Sequence, residues 1–247
     1  MLAVALAGVA AGTINTVVGS GTLITFPTLL AFGVPPVTAN VSNSIGLVPG
    51  SVTGAVGYRR ELVGQRSRVL HLASASGVGG VLGGALLLVA PGAFELIVPA
   101  LIGLGLVLVV AGPRISAYVA RRHEQAGGLP HHGAWWVWPL MLLCGVYGGY
   151  FGAAQGVLMM AVLGIGVDET LQRLNGVKNV LAALVNGISG VLFVIFADVD
   201  WRIVALIASG AVVGGLIGAS VGRRLPASVL RTVIVVVGVV ALVAILR

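Results

Sequence analysis

The sequence predicts an all-α, polytopic membrane protein built as an inverted repeat of two homologous halves, with about ten membrane segments, two of them short or broken. Three observations carry that expectation. First, 58% of the 247 residues are hydrophobic and 9% are charged. A soluble domain carries roughly a quarter charged residues, so this chain cannot cover a water-facing surface. Second, several apolar runs approach or exceed the ~20 residues that cross a bilayer as a helix. Unbroken runs do not fit the alternating pattern of a membrane barrel. Third, a single offset of 135 lays Gly21 on Gly156, Asn40 on Asn175 and Asn43 on Lys178. The same offset carries Gly79, Gly80 and Gly83 onto Gly214, Gly215 and Gly218, Pro91 onto Pro226, and Gly103 onto Gly238. One shift matching so many punctuating residues reads as an internal duplication.

The elements follow in order. Residues 1–18 form a first apolar segment, interrupted by Gly19, Ser20 and Gly21. No basic region precedes it, and it has a repeat partner near 137–153, so it reads as a mature segment rather than a signal peptide. Residues 22–34 are apolar but short, reaching about 20 Å as a helix. Gly33-Val34-Pro35-Pro36 breaks the chain. A third segment covers 37–57, a fourth 69–90 and a fifth 94–112, with Pro91-Gly92 between the last two. Residues 113–134 are the one long polar stretch, a linker holding Arg114, Arg121, Arg122, His123, Glu124, His131 and His132. The second half repeats the plan with segments at 135–153, 156–167, 169–196, 202–222 and 227–246. The domain division is therefore 1–112, linker 113–134, and 135–247.

Charge sets the expected topology. The formal net charge of +7 comes from arginines in short loops, a topology signal rather than a nucleic-acid footprint. The 59–68 loop holds four Arg, whereas its counterpart near 198–200 holds two Asp. Conversely, the turn near 89–91 is uncharged and its counterpart holds Arg223 and Arg224. Basic loops stay in the cytoplasm. Loops 59–68, 113–134 and 223–226 are thus predicted inside, 89–93 and 197–201 outside, and both termini outside. The halves then run in opposite orientation, as in many transporters.

The polar residues in the apolar segments are few. Lys178 is the only lysine, about ten residues into its segment. A cation at that depth costs several kcal/mol unless it is paired, hydrated or shielded. All seven acids lie in loops or at segment ends, so Lys178 has no evident carboxylate partner and is a candidate anion site. The competing reading is a lysine that snorkels to the interface. Asn40 and Asn43 are three apart, as are Asn175 and Lys178, which puts each pair on one helix face. Asn179 adjoins them. These amides donate N–H groups without bringing charge, and serve either as site lining or as interhelical glue. Ser20, Gly21, Thr22, Gln155 and Gly156 precede the two short segments, where broken helices can present free N–H groups and a positive dipole end to an anion. The paired glycine clusters read as close helix packing. His71, near the start of the fourth segment, reads as structural rather than as a proton relay, and the pair His131-His132 lacks the other ligands of a metal site. Cys144 is the single cysteine and offers no disulfide. No catalytic triad, phosphate-binding loop or haem motif is present, so neither an enzyme nor a cofactor is expected.

With these residues in view, the chain resembles the TauE/SafE sulfite-exporter family over nearly its whole length. In the first half the resemblance rests on Gly19-Ser20-Gly21, Phe26-Pro27-Thr28-Leu29, Gly33-Val34-Pro35-Pro36 and Ala39-Asn40. In the second it rests on Gly164-Ile165-Gly166, Val199-Asp200-Trp201-Arg202, and Gly214-Gly215 through Arg223-Arg224-Leu225-Pro226. Ser20 and the run Ala153-Ala154-Gln155 depart from richer glycine runs. The resemblance implies a permease of the cytoplasmic membrane for small sulfur-containing anions such as sulfite, thiosulfate or organosulfonates. The expected partners are that anion and the lipid bilayer, with no nucleic acid and a possible homodimer. A passive anion channel, a carboxylate or other organic-anion permease, and a non-transporting membrane subunit are the alternatives.

Overall fold

A computed structural model describes residues 1–125, 132–220 and 227–245. Among these residues, ten helices follow in chain order: α1 Leu2–Val17, α2 Thr22–Ala31, α3 Pro36–Gly57, α4 Arg66–Val89, α5 Pro91–Gln125, α6 Val137–Tyr150, α7 Gln155–Gly166, α8 Leu171–Phe196, α9 Trp201–Ser220 and α10 Ala227–Ile245. No strand occurs among the described residues. Proline sets several starts: Pro36 opens α3 and Pro91 opens α5, first-turn positions where the missing N–H costs nothing.

Among the described residues, four helices are long and apolar enough to cross a bilayer: Arg66–Val89, Pro91–Ile115, Leu171–Phe196 and Trp201–Ser220. Helices α1, α2, α6 and α7 have 16, 10, 14 and 12 residues. Each falls short of the ~30 Å hydrocarbon layer. Helix α3 has the length at 22 residues but carries Asn40, Ser42, Asn43, Ser44 and Ser51, all buried. Its polar side chains point into the bundle.

The packing is paired. Helix α1 lies along α9, and α6 along α4; α3 also lies on α9, and α8 on α4; α3 and α8 meet in the middle. The short helices alternate as well, α2 against α10 and α7 against α5. Glycine permits the closest approaches. A Cβ at Gly83 would stand 2.0 Å from the Val146 carbonyl oxygen on α6, and one at Gly214 2.1 Å from that of Val9 on α1. The glycine clusters therefore do what their sequence pattern predicts: they let backbones touch, as small residues do in membrane bundles.

Two boundaries differ from the sequence reading. Helix α5 continues to Gln125, so the first part of the 113–134 linker extends a membrane helix. It also begins at Pro91, which puts Glu95 inside the helix rather than at its edge, with its side chain exposed. His131 in the linker, the Arg223, Arg224 and Pro226 loop, and Arg247 lie outside the described residues. His71 is exposed at the start of α4, its ring centroid 5.1 Å from that of His132.

Candidate functional site

The site begins where two helices stop short. Helix α1 ends at Val17, the chain turns through Gly19 at φ +86°, and α2 starts at Thr22. Helix α6 ends at Tyr150, the chain turns through Gly152 at φ +75° and Ala154 at φ +60°, and α7 starts at Gln155. Gly19 and Ala154 are matched by the repeat offset, so both halves use left-handed backbone at one position. Glycine adopts it freely; alanine does so at a cost of about 1 kcal/mol or more. The two turns meet. The Gly156 N–H donates to the Gly19 carbonyl at 3.0 Å, and a Cβ on Gly19 would lie 2.4 Å from the Gly156 Cα. Phe151 beside the second turn packs edge-on against Phe26 of α2, ring centroids 5.1 Å apart.

The last turn of a helix leaves carbonyls without intrahelical partners. Two of those of α1, Asn15 and Thr16, are taken by α8. The Lys178 ammonium donates to the carbonyls of Asn15 at 3.1 Å and Thr16 at 3.2 Å. The Asn175 and Asn179 amides also donate to the Thr16 carbonyl, each at 3.3 Å. Lys178 has no exposed surface, and its stem runs over Gly156, where an added Cβ would touch it at 3.1 Å. The lysine does not reach an interface. A cation at the negative end of a helix is electrostatically favoured, which accounts for its tolerance without a carboxylate.

The first half builds a related cluster. Asn40 on α3 donates to the Tyr150 carbonyl at the end of α6, at 2.9 Å. Asn43 donates to the Thr22 hydroxyl at 3.3 Å and accepts from the Thr25 hydroxyl. Thus Lys178, Asn175, Asn179 and Gly156 come together at the end of α1, whereas Asn40, Asn43 and Thr22 gather between α2, α3 and the end of α6. Gln155 turns away and donates to the Cys144 carbonyl of its own half at 3.3 Å. Gly21 packs against α1 near Ala11. The Ser20 hydroxyl and the side-chain carbonyl oxygens of Asn40 and Asn175 are buried without a hydrogen-bond partner among the described residues. Thr25 and the Asn15 and Thr16 carbonyls escaped the sequence reading. Thr25 stands three residues after Thr22 in an apolar segment, a spacing that could have flagged it. Main-chain acceptors leave no side-chain signal.

A second polar cluster ties the halves together nearer one end of the bundle. The Glu169 carboxylate, just before α8, pairs with Arg68 of α4 at 3.2 Å and with Arg173 at 2.9 Å, and accepts the Thr170 N–H at 3.1 Å. Arg173 donates to the Val63 carbonyl at 2.9 Å, and Gln65 donates to the Arg173 carbonyl at 3.3 Å. Arg68 also donates to the Gln65 side-chain oxygen at 2.5 Å. Partial burial pushes the Glu169 carboxyl up, but the Thr170 N–H and the two guanidinium groups outweigh it and hold the acid below the usual carboxylate range. No cluster of metal-ligating side chains occurs among the described residues.

Apolar helices with a buried cation and carboxamides at the ends of broken segments define a multi-pass membrane protein with an internal polar centre. The chain belongs to the TauE/SafE family, whose model, described as sulfite exporter TauE/SafE, matches residues 4–245. It is thus a membrane protein of a transporter family. It is 28% identical over 241 residues to a Sinorhizobium protein named probable membrane transporter protein ORF9, covering 93% of this chain and 85% of that one. It is 29% identical over 244 residues to the Escherichia coli K12 probable membrane transporter protein YfcA, covering 93% and 83%. No solved structure matches it.

Proposed function

We propose that this protein is an inverted-repeat carrier that moves a small sulfur-containing anion, such as sulfite, thiosulfate or an organosulfonate, across the cytoplasmic membrane. The anion binds between the halves, against the Lys178 ammonium and the Asn175 and Asn179 amides, with Asn40, Asn43 and the two broken turns completing the surroundings. One observation carries this reading. Three donors, one of them a full cation, converge on the single Thr16 carbonyl, which has two lone pairs to offer. The donor capacity exceeds what the protein itself supplies, and a tetrahedral or pyramidal oxyanion has the acceptor oxygens to use it.

The inverted repeat is supported by the matched packing of α1 on α9 and α6 on α4, and by the left-handed residue shared by the two turns. Rocking of one half against the other would expose the centre to each side in turn. The positive-inside pattern places the 59–68 loop and the linker in the cytoplasm. An inside-negative potential then favours anion export by about 2.3 kcal/mol per charge per 100 mV. The substrate class comes from the family description.

The test is uptake by purified protein in liposomes across sulfite, thiosulfate, a sulfonate and a carboxylate, with Lys178→Ala and Lys178→Gln beside the parent. Saturable uptake of a sulfur oxyanion that both variants lose supports the reading. Variants that match the parent refute the site, and a carboxylate preference refutes the substrate class.

A further inference from the structure

The two matched faces of the bundle are closed to different degrees. On one, the loop between α3 and α4 lies over the start of α8. Tyr58 and Gln65 in that loop are 2% and 1% exposed, and Arg68 just beyond it 5%. Leu62 and Tyr58 stand 3.4 Å from where a Cβ on Gly176 would be. The loop belongs to the first half and α8 to the second, and the Arg68–Glu169–Arg173 ion pairs with the Val63 and Gln65 hydrogen bonds fasten one to the other. Arg173 and Lys178 share α8 five residues apart, about 7.5 Å along its axis.

On the other face the offset of 135 carries Gln65 to Asp200 and Arg173 to Thr38. There the Asp200 N–H donates to the Ser42 hydroxyl at 3.0 Å. Beside it lies an open hollow of about 510 Å³ lined by Thr38, Asp198, Val199, Asp200, Trp201 and Arg202. An ion-pair network occupies one face where its repeat counterpart leaves space.

We propose that Glu169 is the pivot of a gate: its pairs with Arg68 and Arg173 hold the α3–α4 loop down and shut Lys178 off from water on that face. The inference rests on the carrier reading above and adds to it the residues that close one side. Glu169 suits the task because it is the shared acceptor of two arginines from different halves. Losing the shared acid leaves two guanidinium groups uncompensated at a partly buried contact and loosens it. Breaking the pairs frees the loop without touching the Lys178 centre.

The experiment reads exposure beneath the loop. In a Cys144→Ala background, Gly176→Cys places one thiol under Leu62 and Tyr58. Its alkylation by a charged maleimide is followed on purified protein in nanodiscs without substrate. Glu169→Gln is expected to raise the rate about tenfold, and Glu169→Asp to keep it near the parent. Equal rates for Glu169→Gln and the parent overturn the gate. A second variant, Leu62→Cys with Gly176→Cys, is bridged by a short reducible bis-methanethiosulfonate. Sulfite uptake into liposomes should stop on bridging and return on reduction, and undiminished uptake by the bridged protein overturns the proposal. Alkylation needs no substrate, so the two readings fail separately. A Glu169-dependent rate with no sulfite uptake by the unbridged protein upholds the gate and sinks the anion assignment. Uptake with an unresponsive rate sinks the gate alone.

Discussion

The α3 pair Asn40/Asn43 and the α8 pair Asn175/Lys178 occupy matched places and begin alike. Asn40 reaches the end of α6 in the other half, and Asn175 the end of α1 in the other half. One helical turn later they part. Asn43 stays within its own half, between Thr22 and Thr25, while Lys178 brings a charge to the opposite half. One carboxamide on each of α3 and α8 satisfies a carbonyl at a broken helix end. The neighbouring position is free to differ, and there the chain has put a fully buried lysine. The difference separates scaffold from chemistry.

The largest effect should come from the scaffold. Gly83→Ala and Gly214→Ala each drive a methyl to within 2.0–2.1 Å of a backbone oxygen, which costs about 3 kcal/mol or more through overpacking. Thermal unfolding in detergent should fall by similar amounts for both. A large loss at one and none at the other would break the equivalence of the α4–α6 and α9–α1 pairs. Next comes the chemistry. Removing a charged donor costs about 1.5–3 kcal/mol, so Lys178→Ala should weaken sulfite binding by about 10–100-fold. Asn43→Ala should weaken it only a few fold, and calorimetric titration of equal losses would erase the distinction.

Smaller effects sharpen the comparison of the turns. Ala154→Gly relieves left-handed strain and should stabilise by about 1 kcal/mol. Gly19→Ala should destabilise by more, because its methyl would also meet Gly156. Melting temperatures of the two variants moving in the same direction would contradict the match. The smallest expected effect is on pH. Glu169 is held below its ordinary pKa, so its pairs stabilise the folded protein above about pH 4.3. That contribution is lost as pH falls through the lowered folded value. Acid denaturation as pH falls below about 4.3 should therefore be steeper for the parent than for Glu169→Gln, and parallel curves would remove Glu169 from the network's energetics.

Much of this was legible in the sequence because polar groups in apolar segments are costly and therefore stand out. Helix ends came within a few residues wherever Gly or Pro punctuates the chain, as at Gly33-Val34-Pro35-Pro36. They failed at α5, where Pro113 sits inside the helix and polar residues continue it to Gln125. The side chains of the candidate site were visible as types, but their partners were not. Asn175, Lys178 and Asn179 bond to main-chain oxygens of a helix more than 150 residues away, and a carbonyl looks the same at every position of a sequence. Gln155 shows the same limit from the other side, since nothing in its neighbours foretells a bond to Cys144. The Glu169 network was half visible: the acid falls at the expected start of the 169–196 segment, and its link to Arg68 came only with the fold.

At the crossing of the two broken turns the halves are joined by bare main chain, Gly156 N–H to Gly19 carbonyl, with no room for a side chain between them. Such a joint cannot be retuned by substitution. Any retuning of the polar centre therefore has to come from the helices that flank the joint, α3 and α8, and not from the crossing itself.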